Sequence, residues 1–169
     1  MKNIFLTGFM GCGKTSVGRV LSSRLGCQFV DLDEAIVSDA GVSINEIFSS
    51  QGEPAFRRLE SQALARISKL AAVVVSTGGG AVLAQQNRTL MRQSGSIVNL
   101  TAGVEAIVAR LNGDSERPLL QGDASIERVR DMLEGRERYY ADADLRIDTT
   151  AKTVEAVVAE ILDAMKESL

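Results

Sequence analysis

The segment at residues 8–16, GFMGCGKTS, restricts the possible folds more than any other part of the chain. It matches the pattern G-x-x-x-x-G-K-[ST], with Gly8, Gly13, Lys14 and Thr15 at the fixed positions. In such a loop, successive backbone N–H groups face one concavity, and the helix that follows adds the positive end of its dipole. The pattern therefore predicts a phosphate-binding loop, or P-loop. Lys14 can reach the β- and γ-phosphates of a nucleotide, and the Thr15 hydroxyl can bind Mg²⁺.

The residues on either side of this loop predict a strand before it and a helix after it. Residues 3–6 form a short apolar run, which is typical of a buried parallel strand. Between positions 17 and 25, apolar residues recur at helical spacing, and Gly26 stands where a C-terminal cap glycine is expected. A glycine-rich turn with a chance lysine would need neither flank, so the order strand, glycine loop, helix favours the P-loop.

The rest of the chain shows the same alternation of strands and helices. Four further strands are predicted at residues 28–32, 71–76, 96–100 and 145–148. Helices are predicted at residues 17–25, 34–40, 43–52, 54–67, 87–93, 104–111, 125–140 and 153–165. This alternation predicts an α/β fold in which helices cover both faces of a parallel sheet, within one domain at residues 1–169.

Charged residues at two places suggest a binding site. Asp31 and Asp33 end the second predicted strand, where α/β folds bind ligands, but an aspartate at Asp33 or nearby would also cap the next helix. Arg57 and Glu60 are three residues apart and share a helix face. The two residues either form a surface ion pair that contributes little to stability, or Arg57 binds a ligand carboxylate while Glu60 holds the guanidinium in place.

Two glycine-containing loops complete the candidate site. Residues 77–80, TGGG, follow the third strand at the place where many P-loop proteins carry an acid for Mg²⁺. They form either a flexible loop or a close backbone approach to a ligand. Residues 112–124 form the longest polar loop and contain Arg117, which is either a solvated side chain or a lid cation that closes on the phosphates.

Composition restricts the classes of partner. A net charge of −3 gives no reason to expect a basic surface for nucleic acid. Two cysteines and no histidine disfavour zinc and favour a reduced, cytoplasmic protein, which we expect to be a monomer. No run approaches the roughly 18 apolar residues of a membrane span. Cys12, inside the P-loop, is expected to be a small packing residue, although the nearby helix N-terminus could lower its pKa.

Taken together, these motifs resemble those of the shikimate kinase family, which is part of the nucleoside-monophosphate-kinase-like group of P-loop proteins. The six motifs are GxxGxGKT at 8–15, DxD at 31–33, FRxxE at 56–60, GGG at 78–80, RPLL at 117–120 and RxxY at 136–139. The resemblance implies a three-layer αβα sandwich with a five-stranded parallel sheet in the order 2-3-1-4-5. It also implies a substrate-binding helical region at about residues 33–60 and a mobile lid at about residues 112–124.

Residue roles follow from the same resemblance, position by position. The implied ATP-binding residues are Gly11, Cys12, Gly13, Lys14, Thr15 and Ser16 at the phosphates, Arg110 and Lys152 near the adenine, and Arg117 from the lid. The implied Mg²⁺ ligands are Thr15 and Asp31. The implied substrate-binding residues are Asp33, Arg57, Gly79, Gly80 and Arg136. The implied catalytic residues are Lys14, Asp33 and Arg117.

The implied activity is ATP- and Mg²⁺-dependent phosphorylation of the 3-hydroxyl of shikimate, a step in the synthesis of chorismate and the aromatic amino acids. Another small-molecule P-loop kinase, for gluconate or a nucleoside monophosphate, is an alternative within the enzymes, because two arginines favour an acid substrate without specifying which one. A regulatory nucleotide switch or a non-catalytic binding module is an alternative outside them. The guanine-reading pattern N-K-x-D of GTPases is absent from the sequence.

Overall fold

A computed structural model describes residues 2–112 and 125–166 of the chain, and within these residues the chain forms five strands and seven α-helices. The five strands are Asn3–Thr7 (β1), Gln28–Asp31 (β2), Val73–Ser76 (β3), Gly95–Thr101 (β4) and Leu145–Asp148 (β5). They form one parallel sheet in the order β2-β3-β1-β4-β5. The predicted strand order and the α/β class are confirmed.

The helices occur where the apolar spacing places them. They are Lys14–Leu25 (α1), Leu32–Ala40 (α2), Ile44–Ile67 (α3), Gln85–Ser94 (α4), Val104–Leu111 (α5), Ile126–Tyr140 (α6) and Val154–Ala164 (α7). A 3₁₀ turn at Ala81–Leu83, which was not predicted from the sequence, joins β3 to α4. α3 has a kink at Gly52, where φ is 80° and ψ is 170°, so two helical segments meet there, as the sequence predicts.

Local capping chemistry determines several of these boundaries. Ser43 and Glu46 form a complete capping box at the start of α3, and the Ser125 side chain accepts a hydrogen bond at the start of α6. Gly26 and Gly41 end α1 and α2 in the left-handed conformation. All four were predicted from the sequence, because a cap depends on residues close together in the chain.

The sheet register brings the functional loops to one edge. Ser76 at the end of β3 pairs with Asp31 at the end of β2 and with Leu6 of β1. The carboxyl ends of parallel strands point the same way, so the loops that follow β1, β2 and β3 all emerge at this edge. Strand β1 lies in the middle and is buried along its whole length, which gives the P-loop a rigid base.

Gly8 shows why the start of the P-loop must be glycine. Its φ is 137°, and a Cβ at this position would lie 2.2 Å from the carbonyl oxygen of Leu100 at the end of β4. A larger residue would strain the backbone and separate the loop from β4. No helix within residues 2–112 and 125–166 is long and apolar enough to cross a membrane.

Candidate active site

A cavity of about 220 Å³ lies at the carboxyl edge of the sheet. Its walls come from the P-loop, from the junction of β2 and α2, and from the loop after β3. Asp31, Asp33, Gly78 and Gly79 all line it, together with Lys14. The structure therefore brings three separate sequence motifs, the P-loop, DxD and GGG, to one cavity, although they span most of the first 80 residues of the chain.

Lys14 is the first residue of α1 and lies in the floor of this cavity. Its Nζ atom donates hydrogen bonds to the carbonyl oxygens of Gly8 and Phe9, at 2.9 Å each. Gly13 precedes it in the left-handed conformation, with φ of 87°, which turns the loop into the helix. The ammonium group and the N-terminus of α1 thus meet at one place and make it attractive to an anion.

Three side-chain oxygens cluster beside the P-loop. The Thr15 hydroxyl donates to Asp31 Oδ2 at 2.7 Å and lies 3.3 Å from the Ser76 hydroxyl. Oxygen ligands of this kind suit a small hard cation that keeps several waters and binds few protein groups. No group of three or more His, Cys, Asp or Glu residues that could hold a metal ion is found in the described part of the chain. Ser76 was not predicted, although it ends β3, close to the place where many P-loop proteins carry an acid for Mg²⁺.

Asp31 caps α2 and also contacts the P-loop. One carboxylate oxygen, Oδ1, accepts from the backbone N–H groups of Asp33 and Glu34, at 3.0 and 3.4 Å, and so caps α2. The other oxygen, Oδ2, accepts from Thr15. The helix cap is therefore Asp31, and Asp33 lies in the first turn of α2, where it lines the cavity. The cap holds the second oxygen in place for the site.

Arg57 and Glu60 do not form the surface ion pair that the sequence allowed. Arg57 Nη1 lies 2.8 Å from Glu60 Oε2, and the two side chains are 22% and 1% exposed. Glu53 accepts from Nε and Nη2 of the same guanidinium, at 3.3 and 3.1 Å. The guanidinium also lies 5.2 Å from the centre of the Phe56 ring. Burial raises the pKa of Glu60, against the opposing effect of Arg57.

Each glycine of the GGG motif lies against a different part of the site. A Cβ at Gly78 would lie 2.6 Å from Glu60 Oε1 and 3.1 Å from Asp33 Oδ1. A Cβ at Gly80 would lie 2.3 Å from Arg57 Nη2. At Gly79 it would lie 3.4 Å from the Met10 backbone nitrogen in the P-loop. The motif therefore brings the backbone close to the charged groups of the site, and its close approach to a ligand stays a prediction.

Arg136 reaches the same loop from α6. Its side chain is buried, its guanidinium lies 5.6 Å from the centre of the Phe9 ring, and a Cβ at Gly79 would lie 3.8 Å from its Nη1 atom. Nη1 has no hydrogen-bond partner among the described residues. Arg57 and Arg136 thus lie on two sides of the glycine loop, 79 positions apart in sequence, and this pairing depends on the packing of α6.

Sequence reasoning missed Tyr140. It identified Tyr139 as the tyrosine of the RxxY motif, but the Tyr139 hydroxyl accepts from Arg138, and its ring packs against Arg88. The Tyr140 hydroxyl instead donates to the Gly79 carbonyl at 2.6 Å. The signal was available, since residues 136 and 140 are four apart and share a helix face.

Arg110 connects the P-loop to the loop after β5. Its Nη1 atom donates to the Gly11 carbonyl at 2.9 Å, and Nη2 donates to the Thr149 carbonyl at 3.2 Å. Lys152, in the same loop as Thr149, forms an ion pair with Glu160 at 2.6 Å. Arg110 therefore lies beside the P-loop, whereas Lys152 points to α7 in this structure. The roles of both residues near the adenine stay predictions.

Cys12 packs inside the P-loop with its side chain buried. Burial raises the pKa of the thiol, and the positive charges of Lys14 and Arg110 oppose this only in part. The expectation that a helix N-terminus could lower this pKa is therefore wrong, because loss of solvation is the larger effect. The thiol acts as a small apolar filler. Arg117 lies outside the described residues, as does nearly all of the predicted lid at 112–124.

Comparisons with known proteins show the family to which the chain belongs. The family model described as shikimate kinase matches residues 10–166. A shikimate kinase of Geobacter metallireducens is 56% identical over 161 residues, which cover 95% of this chain and 90% of that protein. The structure of a shikimate kinase from Acinetobacter baumannii in complex with shikimate is 36% identical, with a TM-score of 0.95 over 99% of this chain and 94% of that chain.

A structure of a gluconokinase from Sinorhizobium meliloti is also similar. It has a TM-score of 0.65 at 17% sequence identity, over 98% of this chain and 92% of that chain. At this identity the likeness shows a common fold and carries no information about the substrate.

Proposed function

The chain belongs to the shikimate kinase family, and we propose that it transfers the γ-phosphoryl group of ATP to the 3-hydroxyl of shikimate, giving shikimate 3-phosphate and ADP. It is a kinase, and its reaction is a step in chorismate and aromatic amino acid biosynthesis. The observation that carries the proposal is the arrangement around the GGG loop. A phosphate-binding loop lies on one side of it, and the arginines Arg57 and Arg136 reach it from α3 and α6.

The P-loop side binds the nucleotide. Backbone N–H groups from Gly11 to Ser16 surround the phosphates, and the N-terminus of α1 adds its positive dipole end. Lys14 exchanges its contacts with the Gly8 and Phe9 carbonyls for the β- and γ-phosphate oxygens. These donors are already assembled on a buried strand, so little ordering is needed when ATP binds.

The other side binds shikimate, which has a carboxylate at one end of its ring and hydroxyls at the other. Arg57 and Arg136 bind the carboxylate, with backbone N–H groups of Gly79 and Gly80 beside them. On the Arg57 guanidinium, Nε and Nη2 each donate one hydrogen bond to Glu53, and Nη1 donates one to Glu60. Each Nη atom carries a second N–H, and these two N–H groups stay available for a bidentate contact with the substrate carboxylate.

Asp33 accepts the proton of the attacking hydroxyl. Its carboxylate lines the phosphate cavity beside Gly78, so a substrate held by the two arginines presents its hydroxyls between Asp33 and the γ-phosphate. The hydroxyl oxygen forms the new bond to phosphorus, the bond to the β-phosphate oxygen breaks, and ADP leaves. Phosphoryl transfer needs mainly positioning and charge stabilisation, which Asp33 and Lys14 supply.

The oxygen cluster of Thr15, Asp31 and Ser76 fits Mg²⁺, because it offers neutral and anionic oxygens at the end of β3 and leaves room for water and phosphate ligands. Mg²⁺ supplies charge neutralisation at the phosphates when it is bound. Asp31 is held by its capping bonds to α2, and Thr15 is held by the first turn of α1, so neither ligand has to be ordered first. We assign Ser76 to this cluster as well.

Three further residues complete the nucleotide side. Arg110 borders the adenine, supported by its bonds to Gly11 and Thr149. Lys152 borders it too after leaving Glu160, and Arg117 reaches the phosphates from the lid. We also propose a monomer that consists of one domain and resides in the cytoplasm, in keeping with two cysteines that form no disulfide.

A coupled ADP-release assay with ATP, Mg²⁺ and a panel of acids tests the function. Shikimate should give turnover far above the rate without acceptor, whereas gluconate and quinate should not. Turnover with gluconate but not with shikimate would favour the gluconate-type alternative. Turnover that no acceptor changes would favour a nucleotide switch.

A further inference from the structure

Tyr140 makes a contact that the proposed reaction does not yet use. Its hydroxyl donates to the carbonyl oxygen of Gly79 at 2.6 Å. We propose that Tyr140 is a positioning residue for shikimate. The Tyr140 hydroxyl sets the orientation of the peptide between Gly79 and Gly80, and this orientation decides which N–H groups of the loop face the substrate carboxylate. The inference rests on the proposed function of the site.

The donor is rigid and well defined. Tyr140 is the last residue of α6 and is 3% exposed, so its ring cannot swing away from the loop without opening the core. Burial raises the pKa of Tyr140 to about 12, so the hydroxyl keeps its proton and remains a donor at neutral pH. The hydrogen bond is therefore present whenever α6 is docked.

The acceptor is the central peptide of a turn, which the Ala81 N–H closes by donating to the Gly78 carbonyl at 3.1 Å and whose central peptide can face either way. A peptide unit is planar and its C=O and N–H point in opposite directions, so an anchored Gly79 carbonyl also aims the N–H of Gly80. Gly79 and Gly80 carry no Cβ, and each tolerates a wide range of φ and ψ. Sterics alone would allow this peptide to rotate. A hydrogen bond from a fixed aromatic side chain selects one orientation.

The anchored peptide lies between the two arginines of the substrate side. A Cβ at Gly79 would lie 3.8 Å from Arg136 Nη1, and one at Gly80 would lie 2.3 Å from Arg57 Nη2. Among the backbone hydrogen bonds that turns, loops and caps form within residues 2–112 and 125–166, none is donated by the N–H of Gly79 or of Gly80. A rotated peptide would present its carbonyl oxygen in place of the N–H, and a carbonyl repels a carboxylate.

Arg136 links the same helix to the substrate. It lies one turn before Tyr140 on α6, so the hydroxyl bond also sets how closely Arg136 approaches the loop. A role limited to packing would lower stability and disturb both substrates alike. A positioning role affects the affinity for shikimate and leaves the nucleotide side, which is built on β1 and α1, unchanged.

Tyr140→Phe removes the hydroxyl and keeps the ring, and Tyr139→Phe is the matched control, because its hydroxyl bonds Arg138 away from the loop. We expect Tyr140→Phe to raise the KM for shikimate by about 3- to 10-fold, the effect of one hydrogen bond. The KM for ATP and kcat should stay near wild type, and the control should match wild type throughout. An unchanged KM for shikimate, or an equal rise for both substrates, would overturn the proposal.

A second measurement needs no variant. In wild-type protein labelled with ¹⁵N-glycine, added shikimate should shift the amide signal of Gly80, and amide signals that stay in place would refute the proposal even if Tyr140→Phe does not fold. Absence of shikimate-dependent ADP release from the wild type would instead count against the function itself. The two failures can therefore be told apart.

Discussion

Replacing Gly80 with alanine tests whether the position of Arg57 controls the affinity for shikimate. Gly80 has φ of −98° and ψ of −2°, which alanine adopts without strain, so the backbone does not oppose the change. The new Cβ would lie 2.3 Å from Arg57 Nη2 and 2.4 Å from Nη1. Ordinary contact needs about 3.5 Å, so the guanidinium must retreat by roughly 1 Å.

The size of the effect follows from that displacement. Moving a substrate-positioning group by about 1 Å costs up to roughly 100-fold. Arg57 is held by Glu53 and by the buried Glu60, so it can move only by weakening those bonds. We expect the KM for shikimate to rise about 10- to 100-fold, or about 1.4 to 2.7 kcal/mol. The KM for ATP should stay near wild type, because no nucleotide contact moves.

Steady-state ADP release, with each substrate varied in turn, measures both constants, and a thermal melt confirms that the variant folds. Gly135→Ala is the matched control, because a Cβ there meets no atom within 4 Å and the residue directly precedes Arg136 on α6. The control should keep wild-type kinetics and gain about 0.5 to 1 kcal/mol of stability from helix propensity. If Gly80→Ala left the KM for shikimate unchanged, or raised both constants equally, Arg57 would not be the carboxylate-binding group.

Three further predictions concern the same site. Asp33→Asn should lower kcat about 10²- to 10⁴-fold while ATP binding measured by calorimetry stays intact, and a kcat near wild type would remove its role as proton acceptor. Arg57→Ala should raise the KM for shikimate about 10- to 100-fold, since charge-assisted bonds to the carboxylate are lost, and an effect on ATP alone would contradict the assignment. Burial raises the pKa of Tyr140 from its ordinary 10.0 to about 12 in the folded protein, so above pH 10 the hydroxyl ionises more readily in the unfolded chain. The contribution of the protonated Tyr140 hydroxyl to the free energy of unfolding is therefore complete below pH 10 and is lost as the pH rises toward 12. Urea unfolding between pH 9 and pH 12 should therefore show a steeper loss for wild type than for Tyr140→Phe, and parallel curves would contradict it.

Much of the fold could be predicted because its signals are local. All five strands were predicted near their observed positions, and the caps at Gly26, Ser43 and Ser125 depend only on residues a few positions away. The break in α3 at Gly52 was also predicted, because glycine followed by proline disfavours a continuous helix. The strand order came from the resemblance to a family, since apolar runs do not say which strands are neighbours.

The candidate site could be predicted in part. Its arginines and aspartates were named from motifs, and the structure brings those of the described residues to one edge of the sheet. Their chemical roles remain predictions. Ser76 and Tyr140 were missed, because neither carries a charge and each matters only through a partner far away in the chain.

Local sequence patterns are sufficient for the P-loop, for the alternation of strands and helices, and for the residue types that can bind phosphate and carboxylate. The packing of distant segments decides three other features: the burial of Glu60, the contact of the capping residue Asp31 with Thr15, and the contact of Tyr140 rather than Tyr139 with the glycine loop. This division arises because periodicity and capping act over a few residues. Burial and hydrogen bonds between distant segments depend on how the helices pack against the sheet.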